Sequence, residues 1–352
     1  MTKKVRFAIL GCGTISKKHL HAISQLPEDV EAVAVCDVNA EAARAVGEQW
    51  GLPYYTDPHQ MLSEHEVDVI TVLTPSGQHA NSVLDLVGYG KTFLVEKPLA
   101  LRLEDADRVT LACNRHGSNI FVVQQNRCNL PVVKLHEALT MGRFGKLVMG
   151  TVRVRWCRRE QYYASRPWRG TWSQDGGVFT NQASHHIDLL TWLMGDVESV
   201  KAMTATRLAN IEAEDTGAAV LRFTNGALGV VEATTATRPK DLEGSLSILG
   251  EKGAVVIGGF AANRLETWQF EEPLPEDEHI FQTCGQNPNE FAWNHIEYIK
   301  RIITAIRGNV CGLVDGLEGR KSLELINAIY ESVESGQEVF LTFKPRMCKL
   351  GI

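Results

Sequence analysis

Val5-Arg6-Phe7-Ala8-Ile9-Leu10-Gly11-Cys12-Gly13-Thr14-Ile15-Ser16 begins as a short apolar run and passes directly into a glycine pair. The run Arg6–Leu10 has the length and content of a buried strand, and the stretch that follows opens a helix. Gly11 permits the tight turn between them. Gly13 lets a phosphate approach the backbone, and the helix N-terminus beyond Thr14 and Ile15 offers free N–H groups and a positive dipole end. Ser16 stands where a third glycine or alanine is usual. Glycine pairs are common in turns, so the position of this one, between a first strand and a first helix, decides its reading.

Outward from this stretch, strand-like runs at Glu31–Asp37, Val67–Leu73, Thr92–Val95 and Asn119–Val123 alternate with helical stretches at Glu41–Trp50, Gly77–Val87 and Leu103–His116. The alternation predicts a parallel sheet with helices on both faces, a Rossmann domain. Asp37 ends the second strand about 20 residues after the loop, where a carboxylate takes the ribose hydroxyls. A carboxylate there repels a 2′-phosphate, and Val38 and Asn39 follow it rather than an arginine. The cofactor this predicts is NAD.

Near Asn126 the rhythm changes. After a helical segment, Leu130–Met141, runs with period-two alternation appear at Val152–Trp156, Ala218–Thr224, Leu228–Thr234 and Ser245–Leu249. Turn signals at Thr224-Asn225-Gly226 and Gly250-Glu251-Lys252-Gly253 join them, which predicts a largely antiparallel sheet. Helices at Asn181–Met194, Glu290–Arg307 and Gly316–Ser335 would cover one face, and the polar stretch Glu271–Asn289 reads as a surface loop. A chain of 352 residues exceeds one ordinary core. The expected fold is therefore α/β. Residues 1–126 form the dinucleotide-binding domain, and residues 127–352 form a substrate-binding and oligomerisation domain with a large, mainly antiparallel open sheet.

A net charge of −6 excludes bulk nucleic-acid binding, which needs a basic footprint. No apolar run approaches the ~20 residues of a membrane span, and the first strand is too short for a signal-peptide core. A cytoplasmic protein is expected. The eight cysteines, at 12, 36, 113, 128, 157, 284, 311 and 348, include no CxxC pair, and no disulfide framework is expected. No metal site is expected either. His185-His186 is the one adjacent histidine pair, and neighbours on a helix point roughly 100° apart.

Two segments carry candidate chemistry. Val95-Glu96-Lys97-Pro98 lies at the C-terminal end of a predicted parallel strand, the edge outside which ligands of open α/β sheets bind. A lysine there can hydrogen-bond a hydroxyl and stabilise the alkoxide left as hydride departs, although on its own it reads as an ordinary loop lysine. In the second, a glycine-rich turn, Asp175-Gly176-Gly177, feeds a helix bearing Asn181 and His185 at i, i+4, hence on one face. His185 is suited to accept a hydroxyl proton near neutral pH; His186 points elsewhere and reads as structural. Beside it, positions 153–169 hold six arginines (153, 155, 158, 159, 166, 169) against one acid, Glu160. Guanidinium forks pair with carboxylate and phosphate, and Tyr162, Tyr163, Trp168 and Trp172 offer stacking surfaces. Arg153 and Arg155, on an alternating strand, read as facing solvent or a neighbouring subunit. Arg158, Arg159 and Arg169 read as anion-binding.

Together these pieces resemble the glucose-fructose oxidoreductase/inositol dehydrogenase (Gfo/Idh/MocA) family over nearly the whole chain. The likeness runs through Gly11–Ser16, Thr74-Pro75 with His79, Glu96-Lys97-Pro98 and the Gly176-Gly177…His185-x-x-Asp188 helix. It implies that Lys97 and His185 are the catalytic pair. It also implies cofactor contacts from Gly11, Gly13, Thr14, Ile15 and Asp37, from Thr74, Pro75, His79, Glu96 and Lys97, and from Gln125, Trp168 and Arg169. Substrate contacts would come from Lys97, Arg158, Arg159, Tyr163, Asn181 and His185, and the assembly would be a homotetramer. One departure is Asn181, where many members carry aspartate; an amide can orient a hydroxyl but cannot raise the basicity of His185.

Finer likeness lies in Tyr162-Tyr163, Trp168–Trp172, Asn181–His185, Asn210–Gly217, Leu242–Ser245 and Ile248–Gly253. These resemble the UDP-N-acetyl-2-amino-2-deoxy-D-glucuronate 3-dehydrogenases of bacterial surface-polysaccharide synthesis. That likeness implies a nucleotide-sugar substrate and 2-oxoglutarate as a possible hydride acceptor for bound NADH. Two further readings stand beside it. One is a dehydrogenase of free polyols or hexoses, against which the arginines speak. The other is a non-catalytic sensor on the same scaffold, which has no need of Lys97 and His185.

Overall fold

The computed structural model describes residues 3–285, 292–309 and 312–341. The chain divides into two compact units. One contains residues 3–125, 292–309 and 312–320; the other contains 126–285 and 321–341.

In the first unit the order is β1 (Val5–Leu10), α1 (Ser16–Ser24), β2 (Val30–Cys36), α2 (Ala40–Trp50), β3 (Tyr54–Tyr55), α3 (Pro58–Glu64), β4 (Val69–Val72), α4 (His79–Leu86), β5 (Thr92–Val95), α5 (Leu103–His116) and β6 (Ile120–Val122). The six strands are parallel in the order β3-β2-β1-β4-β5-β6. Strands covered on both faces need apolar side chains at successive positions. Val69-Ile70-Thr71-Val72 is buried throughout, as are Phe93, Leu94 and Val95. The strand order reverses between β1 and β4, which places the Gly11–Ser16 loop at the switch point where such sheets bind ligands. The expected strands and helices agree with these to within a few residues. The short β3 and α3 were not expected; Asp57 caps α3, accepting from His59 N–H, and Pro58 occupies its first turn.

The second unit begins with α6 (Leu130–Thr140), β7 (Leu147–Arg155), α7 (Glu160–Ala164) and α8 (Ser184–Met194). Strands β8 (Val197–Ala205), β9 (Thr216–Phe223), β10 (Leu228–Thr234), β11 (Glu243–Gly250), β12 (Gly253–Gly258) and β13 (Arg264–Phe270) follow, then α9 (Asp277–Cys284). Next comes α10 (Trp293–Ile306), then α11 (Gly316–Ser335), which is counted with this unit from Lys321, and β14 (Val339–Phe340). The eight-stranded sheet runs β13-β12-β11-β7-β10-β9-β8-β14 and is antiparallel except for the β7–β10 pair. In β9 the buried residues alternate strictly, Gly217, Ala219, Leu221 and Phe223 facing inward. They join Val152, Val154, Ile187, Leu190, Val231, Leu246 and Ile248 in one core. The opposite face leaves Met203, Val220, Leu228 and Leu249 exposed.

Three expectations need correction. The first segment of unit 1 ends at Gln125, and the later α10 is not part of unit 2. It belongs to the first unit and packs on α1, burying Ile296, Ile299, Ile302 and Ile303. An apolar stripe announces that a helix must be covered, not by which surface. Glu290 lies outside the described residues. The stretch read as a loop from Glu271 contains α9, anchored at its start by Asp277, which accepts from Arg143 (2.7 Å to each oxygen) and from Trp268 Nε1 (2.7 Å); residues 286–289 lie outside the described residues. The helix expected over Asn181–Met194 is two pieces, a π-helical turn at Val178–Gln182 and α8 from Ser184. Wider π winding removes the premise that Asn181 and His185 share a face at i, i+4.

Among the described cysteines, Cys12, Cys36, Cys113, Cys128, Cys157 and Cys284 are free thiols; Cys311 and Cys348 lie outside the described residues. No described helix is long and apolar enough to cross a membrane.

Candidate active site

Gly11 has φ +107°, and a side chain there would place its Cβ 2.6 Å from the backbone of Leu73. No other residue fits. Gly13 is different: its absent Cβ would meet nothing within 4 Å, so nothing in the protein demands a glycine. The open space over Gly13 is the approach that a dinucleotide pyrophosphate needs, and the residues present fit one. Ser16 is fully buried and closes the loop, donating from Oγ to Gly13 O at 2.7 Å. Thr14 is exposed and Ile15 half-buried beside it.

Asp37 bridges the loop and the end of β2. Its Oδ2 accepts from Cys12 N–H at 2.8 Å and its Oδ1 from Asn39 N–H at 2.8 Å. The carboxylate is thus held in place at the sheet edge while half-exposed. Burial, with Asp37 nearby, pushes the thiols of Cys12 and Cys36 up to about 12, which makes them inert packing groups. If Asp37 binds the adenosine ribose, Asp37→Ser removes a charge-assisted hydrogen bond worth roughly 1.5–3 kcal/mol. The NAD dissociation constant, measured by titration calorimetry, should then rise roughly ten- to a hundredfold. Equal or tighter binding of NADP by the unaltered protein would contradict this role.

At the ends of β4 and β5 the candidate side chains are tied into the protein by contacts of their own. Thr74 Oγ1 pairs with Ser82 Oγ at 3.3 Å. His79 is buried, with Nδ1 2.6 Å from Pro98 O and Nε2 2.8 Å from Thr74 O. Its ring therefore ties two turns together instead of facing outward. Burial holds its pKa below the ordinary histidine range, against the pull of the two carbonyls. Glu96 is buried too, its Oε1 2.9 Å from His19 Nε2. Lys97 follows, half-exposed, joined to Pro98 by a cis peptide bond. Gln125 is buried at the end of this unit.

In the second unit Arg158, Gln182, Tyr162, Asn181 and Asp175 form one polar network. Arg158 Nε donates to Gln182 Oε1 (3.0 Å), and its Nη1 donates to Asp241 Oδ1 (3.0 Å) and Cys157 O (3.0 Å). Gln182 Nε2 donates to Tyr162 OH at 2.8 Å, and Tyr162 OH donates to Asn181 Oδ1 at 3.4 Å. Asn181 Nδ2 in turn donates to Asp175. Arg169 stacks over the Tyr162 ring, 3.9 Å from its centroid, and near Trp168 at 5.3 Å. Arg159 donates to Pro239 O at 3.1 Å, and Tyr163 OH meets Thr235 Oγ1 at 2.8 Å. Arg153 and Arg155 stand on the sheet face with Glu232 and, for Arg155, Glu243 at 3.1 Å. His185 is half-exposed in the first turn of α8, where its neighbours from Gln182 to Ile187 are otherwise buried. His186 packs edge-on to Trp156, and burial pushes its pKa down to about 4, as befits a structural ring. Next to this network a cleft of about 440 Å³ is lined by Tyr163, Arg166, Arg169, Thr171, Asn210 and Glu212 among others.

Several participants were missed from sequence. Gln182, Asp175 and Asp241 complete the arginine network. Glu214 lies beneath the π turn, accepting from Phe179 N–H (3.1 Å) and Tyr330 OH (2.9 Å), and burial pushes it up to about 7. His19, Glu96 and His295 form the one group of potential metal-ligating side chains found among the described residues, with ligand atoms within 4.8 Å of one another. Only its spacing three residues past Ser16, on α1, hinted that His19 would face the sheet.

The family follows from comparison. Residues 5–124 match the NAD-binding Rossmann fold of the Gfo/Idh/MocA oxidoreductase family, and residues 136–341 match that family's C-terminal alpha/beta domain. The chain belongs to this family. It is an NAD-dependent oxidoreductase. The WlbA dehydrogenase of Bordetella pertussis, solved in complex with NADH and UDP-GlcNAcA, superposes with a TM-score of 0.94 at 42% identity, over 98% of this chain and 99% of that one. Its counterpart from Chromobacterium violaceum, also with NADH and UDP-GlcNAcA, gives 0.91 at 41% identity, with 98% of each chain covered. More distant is the myo-inositol 2-dehydrogenase of Thermotoga maritima, 25% identical over 96% of this chain and 98% of the relative. A D-apiose dehydrogenase of Paraburkholderia graminis is 26% identical over 96% of this chain and 90% of its own length.

Proposed function

We propose that the protein is a sugar dehydrogenase that oxidises the C3 hydroxyl of UDP-N-acetyl-2-amino-2-deoxy-D-glucuronate to a ketone. The observation that carries this reading is the 42% identity, over 98% of the chain, to a dehydrogenase solved with NADH and UDP-GlcNAcA. NAD, when bound, accepts the hydride from C3. His185 takes the hydroxyl proton as general base, and the Lys97 ammonium orients the hydroxyl and stabilises the developing oxyanion. Asn181, neutral and already engaged with Asp175, orients the ring without acting as a base. Gly11, Gly13, Thr14, Ile15 and Asp37 bind the dinucleotide. Arg158, Arg159 and Arg169, with Tyr163, grip the diphosphate and carboxylate. Arg169 over Tyr162 and the adjoining 440 Å³ cleft supply cationic and aromatic surface of the kind a nucleotide requires.

In this reading the enzyme acts in the cytoplasm on precursors of surface polysaccharide. In the same reading 2-oxoglutarate would serve as the final hydride acceptor, taking up a proton as well and becoming 2-hydroxyglutarate. The exposed apolar sheet face, Met203, Val220, Leu228 and Leu249, is covered in a homotetramer. A free-polyol dehydrogenase is the second reading, favoured by the inositol- and apiose-oxidising relatives at 25% and 26% identity. UDP-GlcNAcA, UDP-N-acetylglucosamine, glucose and myo-inositol should be incubated separately with the enzyme, with and without 2-oxoglutarate. Product is expected from the uronate, and more of it with the oxoacid. Comparable turnover of myo-inositol or glucose with none of the nucleotide sugar would transfer the assignment to the second reading.

A further inference from the structure

The turn that carries Lys97 is held by a buried side chain, that of Glu96. Glu96 continues β5, its backbone N–H donating to Val72 O at 3.0 Å, while its carboxylate points inward at 7% exposure. Burying a carboxylate is costly unless partners hold it. Two do so here. His19 Nε2 sits 2.9 Å from Oε1, and the backbone N–H of Lys97 donates to Oε2 at 3.2 Å. His19 is itself 1% exposed and lies on α1, the helix that grows out of the Gly11–Ser16 loop.

Behind it His295, on α10, meets the His19 ring edge-on at 5.3 Å, and burial pushes its pKa down to about 3, so it stays neutral. Two histidines and a glutamate could serve a divalent metal. The 2.9 Å contact, however, is a hydrogen bond that already uses the facing atoms of His19 and Glu96. On the far side of Lys97, His79 secures Pro98 O at 2.6 Å.

We propose that His19 is a positioning residue for Lys97, acting through Glu96 to fix the backbone from which the lysine reaches its substrate. This rests on the catalytic assignment of Lys97 above. Without His19, Glu96 loses the buried ring that holds its carboxylate, which weakens its hold on the Lys97 N–H and loosens the turn. Small displacements of a reacting group are costly, since about 1 Å can lose about a hundredfold in rate.

The test compares His19→Leu, which removes the ring donor, with His19→Gln, which restores an N–H donor. It uses single-turnover reduction of NAD by UDP-GlcNAcA, NAD affinity, and amide hydrogen exchange at Lys97, the last needing no substrate. In His19→Leu, hydride transfer should fall at least about tenfold with NAD affinity within about twofold, and His19→Gln should recover most of the rate. Exchange of the Lys97 N–H should quicken in His19→Leu while the amides of β5 keep their protection. In a Lys97→Ala background His19→Leu should slow nothing further. An equal loss in both backgrounds, unchanged Lys97 exchange, or no recovery in His19→Gln overturns the proposal. Should His19→Leu fail to fold, Glu96→Gln must reproduce its slow transfer and fast exchange, and normal behaviour there overturns it equally. A slow Lys97→Ala with a fast His19→Leu rejects the positioning role alone. A fast Lys97→Ala rejects the lysine assignment and this proposal with it.

Discussion

Lys97→Ala and His185→Asn are each expected to lower the single-turnover rate of hydride transfer by about 10²–10⁴, while NAD still binds. The magnitude follows from what each group does in the transition state. In the proposed mechanism His185 would remove the proton as the hydride leaves, and without it the hydroxyl would have to lose its proton to water. The Lys97 ammonium would face the oxygen as charge develops, where a cation fixed in place is worth more than mobile solvent. Neither substitution alters the Gly11–Ser16 loop or Asp37, so NAD should still bind. Stopped-flow absorbance of NADH at saturating substrate measures the rate, and fluorescence titration measures the affinity. A variant that transfers hydride at nearly the unaltered rate removes that residue from the mechanism.

Arg127→Met is expected to destabilise the second unit by about 3–5 kcal/mol. Arg127 and Asp188 form a bidentate pair, Nε to Oδ2 and Nη2 to Oδ1 both at 2.7 Å, with side chains 6% and 1% exposed. The guanidinium also lies over the Trp192 ring at 4.7 Å. Its removal takes the bidentate partner from a carboxylate on the buried face of α8, three residues beyond His185. Replacing both partners, Arg127→Met with Asp188→Leu, should recover most of the loss, because apolar groups leave no uncompensated charge. Urea denaturation followed by circular dichroism reports the change. An Arg127→Met midpoint within experimental error of the unaltered protein would show that the pair holds nothing together.

How much of this was legible in the sequence depends on which physical signal carried it. The parallel sheet was legible because fully buried strands read as apolar runs, and Val69–Val72 and Phe93–Val95 are such runs. The second sheet was legible through the strict alternation of β9 and β10. Gly11 and Gly13 stood out because a turn and an open approach both need glycine.

Signals failed where the information is not local. The apolar stripe of α10 marks a face to be buried but names no partner, so its place in the first unit could not be read. The π turn at Val178–Gln182 is set by tertiary anchors, Glu214 O accepting Val178 N–H at 3.0 Å and Glu214 Oε1 accepting from Phe179. These lie 36 and 35 residues away along the chain, beyond any helical periodicity. The cofactor contacts of His79 and Glu96 are implied by the family resemblance, and their side-chain partners in the protein are not legible from it. Their burial against Pro98, Thr74 and His19 depends on how neighbouring turns pack. The arginine cluster was visible as composition, yet the division of labour within it was not. Arg155 is taken up by Glu232 and Glu243, and Arg158 by Gln182 and Asp241.

The central claim is that hydride leaves C3 of a nucleotide-linked N-acetylglucosaminuronate for NAD. It is tested most directly with UDP-GlcNAcA deuterated at C3, followed by mass spectrometry of the cofactor and the sugar after a single turnover. The account expects the deuterium on the reduced nicotinamide and a 3-keto sugar nucleotide that has lost it. Deuterium retained on the sugar, or no reduction of NAD by this substrate under conditions where myo-inositol or glucose reduces it, would contradict the account.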